Sequence, residues 1–458
     1  MAKLIDILNA LVRELDETHG PDGLVTRIDG YLPNFVMTRS GVERHFSKAA
    51  QTEVAALAGR LFNDRVTYRE AMRVTELAQL LRSCIADLHA DGLFATTPAE
   101  EKAHLKLLNR ELEERLKGMT LPFGHGFPAT TLRLEDKGPY QVGPVDIRSV
   151  RAWLETVTLS DWEYKHHGIA PDSNWKAELL DILSATTRLS RPEVPAHLQT
   201  FADALHNCDA VVSVAVLGLE QSYSREIARM VARTAIDGIS LLSSRGRNAF
   251  SQQALSDERL QPLRLNSMVV FKGEQWVGGQ WSDRAIPSPP AGLSERVFQN
   301  GKLHTSLCDV VGSLLDGRSH THPKLAMRWA AALDWYAEGC RETSTSVAVT
   351  KLAAALDVLT CGRTEYGITQ MLANLLGRAA TESVFQGVPD SLKHIVDAIY
   401  GGGRSQLLHG SKVDRRVAFD SERSQAQALG HLALVSLLKR LASYTGPDED
   451  IAFITMPP

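Results

Sequence analysis

The segment that most constrains the fold and the chemistry of this chain reads Tyr400-Gly401-Gly402-Gly403-Arg404-Ser405-Gln406-Leu407-Leu408-His409-Gly410. Arg404 carries a permanent planar charge that suits a phosphate group, and His409 exchanges protons near neutral pH. An Arg and a His at this spacing are expected about once by chance in a chain of this composition. The residues around the pair therefore decide what it means.

Apolar residues at helical spacing surround this segment and predict a compact helical bundle over residues 323–458. The predicted core positions are Leu325, Trp329, Ala332, Leu333 and Tyr336 on one helix, Val349, Leu352, Leu356 and Leu359 on the next, then Ile368, Met371, Leu372 and Leu375, then Leu392, Ile395, Val396 and Ile399, and finally Leu429, Leu432, Leu434, Leu437 and Leu438.

The glycine triplet imposes a geometric expectation on the pair. Positions five apart lie roughly 140° apart around a straight helix, so Arg404 and His409 would not share a face. Glycine is unfavourable in a helix interior, and we therefore expect a break at Gly401–Gly403. Arg404 would then lie near the N-terminus of a new helix, which favours phosphate, and both side chains would reach one cleft.

The composition is that of a soluble globular protein, with 44% apolar and 23% charged residues over 458 positions, enough for two or three domains. A net charge of −4 argues against general attraction to nucleic acid but leaves a local basic groove open. Five cysteines without a Cys-x-x-Cys pair argue against a disulfide framework and a Cys-based zinc site. We find no signal peptide and no apolar run of roughly 20 residues, and expect a cytoplasmic protein with no membrane partner.

Periodicity and punctuation divide the chain into four parts, with a mainly α fold class. Residues 1–118 read as helices, residues 119–290 as a mixed α/β regulatory or sensor region, residues 291–322 as a linker helix and loop, and residues 323–458 as the helical domain. In the mixed region we predict a short strand over Thr130–Leu134, a strand over Ala210–Gly218 leading into a helix, and a β-hairpin formed by Ser267–Phe271 and Gln275–Trp281.

Several histidines lie in pairs or between glycines, namely His125, His166, His167, His320 and His322. Adjacent histidines point apart on most backbones, and no third ligand is spaced to join them. We therefore predict that His125, His166 and His167 are surface histidines. His320 and His322 alternate in a loop without partners for a metal, and we expect neither a metal nor another cofactor.

Residues 320–445 resemble the HEPN domains, and more closely their Apea-like branch. Three segments carry the resemblance, in the order and spacing of the family: Ala331-Ala332-Leu333-Asp334-Trp335-Tyr336, Lys351-Leu352-Ala353-Ala354-Ala355-Leu356-Asp357-Val358-Leu359, and Ile399-Tyr400 with Arg404 to Gly410. Ser405 stands where many nuclease members carry Asn, Asp or His after the arginine. Asp357 replaces the more usual Glu, and the glycines interrupt what is usually continuous helix.

These residues fit a metal-independent endoribonuclease in which the RNA 2′-hydroxyl attacks the neighbouring phosphate. His409 is suited to carry protons and Arg404 to hold the phosphate and stabilise developing charge, while Ser405, Asp357 and Tyr400 are the candidate supporting residues. One histidine cannot lie on both sides of the scissile bond. The resemblance implies a homodimer that brings two Arg/His pairs together.

Residues 402–440 contain seven Lys or Arg against three Asp or Glu, a net charge of +4 suited to an RNA backbone, and Lys412, Arg415 and Arg416 are the candidate RNA-binding residues. The resemblance further implies an anti-phage, abortive-infection effector that answers to a phage-derived or nucleotide trigger. Two alternatives remain open: a non-catalytic HEPN scaffold that dimerises and binds RNA or protein, and the toxin of a toxin–antitoxin pair.

Overall fold

The computed structural model describes residues 3–21, 23, 34–94, 101–131, 139–185, 194–243, 247–258, 265–271, 274–280, 301–409 and 418–457. The chain divides into two compact units. The first comprises Met1–Phe123 with Val216–Glu226, and the second comprises Gly124–Ala215 with Ile227–Pro458. The predicted domain boundary between Pro287 and Pro323 stays a prediction, and its Pro-rich part lies outside the described residues.

The first unit is helical, as its leucine spacing predicts. Its helices are α1 Leu4–Thr18, α2 Lys48–Asp64, α3 Val66–Ala71, α4 Val74–Ala90 and α5 Glu101–Met119, with a hairpin of β1 Phe35–Met37 and β2 Glu43–His45. One apolar core joins the helices, and its centre includes Leu11, Leu57, Leu81, Ile85 and Leu112. Ser47 caps α2 by accepting from the backbone N–H of Ala50 at 3.1 Å.

The mixed region of the second unit contains a five-stranded sheet in the order β4-β5-β6-β3-β7. Its strands are β3 Phe123–Thr130, β4 Tyr140–Val142, β5 Val145–Ser149, β6 Ala210–Val216 and β7 Ala254–Leu255. The pairs β4/β5, β5/β6 and β3/β7 are antiparallel. A separate hairpin of β8 Leu265–Phe271 and β9 Glu274–Gln280 confirms the predicted one within a residue or two.

The strand predicted over Thr130–Leu134 is described only at Thr130 and Thr131, so it stays a prediction. The structure has a strand over Phe123–Thr130, and residues 132–138 lie outside the described residues. Gly124, Gly126 and Pro128 argued for a loop, but β3 is a neighbour of both β6 and β7 in the sheet. Sheet pairing therefore overrides a weak local preference.

Helices make up most of the rest of the chain and confirm the mainly α fold class. They are α6 Val150–Thr156, α7 Asp161–His167, α8 Trp175–Ala185, α9 Gln199–Leu205, α10 Gln221–Leu242, α11 Arg247–Gln252, α12 Gly301–Ser313, α13 Pro323–Arg341, α14 Thr345–Leu359, α15 Thr364–Leu376, α16 Leu392–Asp397, a π-helix Ala398–Ser405, α17 Gln406–Leu408, α18 Asp420–Leu441 and α19 Ala452–Thr455. Single 3₁₀ turns cover Ala196–Leu198, Ser256–Glu258 and Gly317–Ser319.

Helices α13 to α18 pack as the predicted bundle, and nearly all predicted core positions are buried, with only Leu375 and Leu432 half-buried. Trp329 is fully buried, and its indole N–H donates to the Leu434 carbonyl at 2.8 Å. The Tyr336 hydroxyl donates to the Gln427 carbonyl at 2.9 Å. Both aromatic side chains thus fill the core and satisfy their polar atoms.

Among the described residues, no single helix has the length and apolar character needed to cross a membrane. Helices α14 and α15 reach that combination only when joined across a 72° bend.

Candidate active site

The predicted helix break at Gly401–Gly403 is wrong. Helix α16 continues through the glycines as the π-helix Ala398–Ser405 and then as α17. Arg404 therefore lies within a helix rather than at the N-terminus of a new one, and the expected contribution of a helix N-terminus to phosphate binding does not apply. The extra residue per turn of a π-helix changes the facing of the side chains that follow, and such insertions are frequent at functional sites.

The glycines have different surroundings, which explains why a helix tolerates them here. A Cβ atom at Gly401 or Gly402 would meet nothing within 4 Å, whereas one at Gly403 would lie 2.5 Å from Cγ1 of Val349. Gly403 thus allows the π-helix to approach α14 closely. That approach brings the following Arg404 within reach of Asp357, near the end of α14.

Arg404 is held through one of its nitrogens. Its Nη1 donates to the Tyr400 hydroxyl at 2.6 Å and forms an ion pair with Oδ2 of Asp357 at 3.2 Å. The guanidinium also covers the Tyr400 ring, with its central carbon 4.9 Å from the ring centroid. The structure therefore brings together three of the predicted site residues, Arg404, Asp357 and Tyr400.

Among the described residues, nothing pairs with the other edge of the Arg404 guanidinium. Nε is buried, and within the described ranges neither Nε nor Nη2 has a hydrogen-bond acceptor. A guanidinium has five N–H donors, so three of them face no described partner. An unpaired buried donor costs about 1–3 kcal/mol, which an incoming anionic oxygen would recover. Nη2 is the nitrogen that an incoming phosphate oxygen can reach, because Nε itself is buried.

Asp357 also anchors a strained turn that sequence reasoning missed. Its carboxylate accepts from the Thr364 N–H at 3.3 Å, and its carbonyl accepts from Gly362 at 2.9 Å. Cys361 and Thr364 have positive φ angles of 58° and 56°. A β-branched residue such as Thr rarely adopts this conformation, and such outliers cluster at functional sites.

His409 lies at the end of α17, apart from this cluster. Its backbone N–H donates to the carbonyl of the half-buried Ser405 at 3.0 Å. The imidazole is exposed and makes no hydrogen bond to any residue that the structure describes. The catalytic pairing of His409 with Arg404, and the supporting role of Ser405, stay predictions.

The basic stretch predicted over residues 402–440 is described only in part. Lys412, Arg415 and Arg416 lie outside the described residues. Arg423 is buried and donates to the Glu342 carbonyl at 2.5 Å, while Arg440 donates to the Met456 carbonyl at 2.6 Å. Arg423 and Arg440 therefore bind backbone carbonyls within the bundle, although the charge count had included them in a basic stretch.

A second arginine cluster in the same unit was not predicted at all. Arg341 pairs with the fully buried Asp237, and Arg233 pairs with Glu338 and Asp334. Lys351 joins Glu338 to Glu342 at 3.2 and 3.1 Å. These partners come from α10, α13 and α14, except Glu342, which directly follows α13. Helical periodicity contains no signal for pairings between residues so far apart in sequence.

The histidines considered as possible metal ligands differ in burial. His166 is exposed and stacks on Trp162 with ring centroids 4.5 Å apart, whereas His322 is buried and contacts the Gly446 carbonyl at 2.9 Å. In the part of the chain that the structure describes, no three His, Cys, Asp or Glu side chains lie close enough together to hold a metal ion.

No protein-family model matches this chain, and no curated protein or solved structure matches it significantly.

Proposed function

We propose that this protein is a metal-independent endoribonuclease that cuts RNA by attack of the 2′-hydroxyl on the neighbouring phosphate. The observation that carries the proposal is the geometry of Arg404. Asp357 and Tyr400 fix its Nη1, while the Nε–Nη2 edge has no acceptor among the described residues. An arginine oriented in this way is prepared to bind a phosphate before the substrate arrives.

The reaction needs two proton transfers and stabilisation of charge on the phosphorane-like transition state. Arg404 supplies the charge, and preorganised donors of this kind commonly contribute most of the catalytic effect. His409 supplies an imidazole, a side chain that can carry a proton in either direction, and its exposure leaves it accessible to RNA. It takes the proton of the 2′-hydroxyl or returns one to the leaving 5′-oxygen.

A homodimer completes this scheme. One His409 serves one side of the scissile bond, so the proposal includes a second copy whose His409 serves the other side. Leu408, next to His409, exposes 62% of its surface at the end of the helix, where an apolar side chain gains from being covered.

The biological role that we propose is anti-phage defence, with a phage-derived molecule, a nucleotide or an antitoxin as the controlling partner. This role derives from the HEPN resemblance of residues 320–445. The first 290 residues would then supply the sensor.

The second candidate function is a non-catalytic scaffold that dimerises and binds RNA or protein. The Arg404–Asp357 ion pair favours it, because the carboxylate compensates part of the charge that a phosphate would otherwise meet. The scaffold predicts that RNA binding without turnover survives in His409→Ala.

The test is cleavage of structured and unstructured RNA by purified protein in EDTA. We expect wild-type cleavage, and loss of cleavage in both Arg404→Ala and His409→Ala. Arg378→Ala and His394→Ala are matched controls, because each of these exposed side chains forms an ion pair with a nearby acid, at 3.7 Å in both cases. The controls should cleave like the wild type.

Three results would contradict the proposal. Cleavage that survives in Arg404→Ala or in His409→Ala removes the residue from the site. RNA binding without cleavage by the wild-type protein favours the scaffold. Cleavage by the wild type that disappears in EDTA and returns with a divalent cation assigns the chemistry to a metal.

A further inference from the structure

We propose that Tyr400 is a catalytic residue, whose phenolic O–H donates a hydrogen bond to a non-bridging oxygen of the phosphate that Arg404 binds through Nη2, the nitrogen next to the one that Tyr400 contacts. This inference rests on the proposed ribonuclease function and gives Tyr400 a direct contact with the substrate.

The hydrogen bond between Arg404 and Tyr400 has a direction that leaves the Tyr400 proton available. Arg404 Nη1 donates to the Tyr400 oxygen at 2.6 Å, so that oxygen acts as an acceptor and its own hydrogen points elsewhere. Within the described residues, the Tyr400 hydroxyl has no acceptor for this hydrogen. It is therefore an available donor beside the guanidinium that would hold the phosphate.

The positive charge of Arg404 makes the Tyr400 hydroxyl a stronger donor. A cationic donor on the phenolic oxygen polarises the O–H bond and strengthens the hydrogen bond that it can donate. Burial and the Asp357 carboxylate raise the pKa of the Tyr400 phenol by more than Arg404 lowers it. The phenol thus keeps its proton at neutral pH, as a hydrogen-bond donor requires.

The contacts of Tyr400 hold its side chain in a fixed orientation. Tyr400 is half-buried in the π-helix, its ring lies under the guanidinium, and its hydroxyl accepts a hydrogen bond from Arg404 Nη1. A donor that is already oriented needs no reorganisation when charge develops on the phosphate oxygens. Arg404 and Tyr400 together then offer donors from two directions.

The decisive variant is Tyr400→Phe, which removes the hydroxyl and keeps the ring under Arg404. We expect kcat to fall by about 10²-fold, the usual effect of losing one donor to a developing oxyanion, with KM little changed. Tyr366→Phe is the matched control, because Tyr366 is an exposed helical tyrosine whose oxygen accepts from Gln370 at 2.7 Å. It should retain wild-type kinetics.

A second measurement separates contact with the phosphate from a purely structural effect. The scissile linkage is replaced in turn by its Rp and Sp phosphorothioate, because sulfur is a poorer hydrogen-bond acceptor than oxygen. The wild type should be slowed by sulfur at the position that Tyr400 contacts, and Tyr400→Phe should be slowed less by that same isomer. The other isomer should slow both proteins equally.

The outcomes distinguish this inference from the proposed function. Wild-type kinetics in Tyr400→Phe, with Arg404→Ala inactive, overturn the role of Tyr400 and leave the ribonuclease intact. Equal sulfur effects in wild type and Tyr400→Phe for both isomers also overturn it. Absence of RNA cleavage by the wild type overturns both proposals together.

Discussion

Two arginine–aspartate pairs in the second unit show how the same chemistry serves structure in one place and a candidate site in another. Arg341 is 8% exposed, and each of its side-chain nitrogens has an acceptor on Asp237, Phe250 or Gln253. Arg404 is 26% exposed, and among the residues that the structure describes only its Nη1 has an acceptor. A saturated guanidinium stabilises the fold, whereas an unsaturated one retains donors for a ligand.

Replacing Arg404 or Arg341 singly with alanine should have opposite effects on activity and on stability. Arg404→Ala should have the largest effect on activity. Loss of the phosphate-binding charge should reduce cleavage by about 10³-fold or more, as for arginines that stabilise phosphoryl-transfer transition states. Its partly exposed ion pair contributes on the order of 1 kcal/mol or less to stability. RNA cleavage and urea unfolding measured on one preparation check both expectations. If Arg404→Ala instead lowered the free energy of unfolding by several kcal/mol, Arg404 would serve the fold, as Arg341 does.

Asp237→Ala should have the largest effect on stability. It leaves the buried Arg341 without its carboxylate, which costs about 3–5 kcal/mol in comparable buried pairs. The urea midpoint should fall accordingly, while cleavage per folded molecule stays unchanged. Replacing both partners, as in Asp237→Leu with Arg341→Met, should cost less than Asp237→Ala alone, because no unpaired charge remains. A double variant less stable than the single one would contradict this account.

The approach of the π-helix to α14 gives a smaller, internally controlled prediction. Gly403→Ala places a methyl group against Val349 and should cost about 1–3 kcal/mol, with reduced cleavage because Arg404 moves relative to Asp357. Gly402→Ala has open space and should stabilise the protein by about 0.4–1 kcal/mol. Thermal and urea unfolding of the two variants provide the test. Equal stability of both would mean that the close contact has no energetic consequence.

The smallest expected effect is a loss of stability in acid that arises from the second arginine cluster, around Glu338 and Glu342. Burial raises the pKa of Glu338, but Arg233 and Lys351 lower it by more, and the pKa of Glu342 is likewise lowered by hydrogen bonds from Ser344 and Lys351 despite its burial. Carboxyl groups with depressed pKa values stabilise the native state above their unfolded pKa of about 4.3, and this stability is lost as the pH falls through the folded pKa. Urea unfolding between pH 6 and pH 3 should show this loss. Glu338→Gln should show a shallower dependence, and an identical slope would contradict the assignment.

The sequence predicted the helical bundle well because burial leaves a periodic trace. Leu325, Trp329, Leu352 and Leu356 each recur at helical spacing, and each is buried. The glycine triplet was misread because propensity describes an average environment. Here Gly403 is required by a neighbouring helix, and the π-helix accommodates all three glycines without a break.

The candidate site was predicted in part. Arg404, Asp357 and Tyr400 were named from the sequence, and the structure brings them into contact. The roles of these residues remain predictions, as does the pairing of Arg404 with His409. The free edge of Arg404 and the strained turn at Cys361 and Thr364 had no sequence signal, because both depend on the geometry of neighbouring groups.

By itself the sequence determined which faces of which helices are buried, since removing apolar side chains from water is local in its pattern and dominant in its energy. Tertiary structure alone decided which charges meet. Asp237 and Arg341 are 104 residues apart, and Asp357 and Arg404 come from different helices. Ion pairs and hydrogen bonds depend on distances of a few ångströms, and only the packed chain sets those distances.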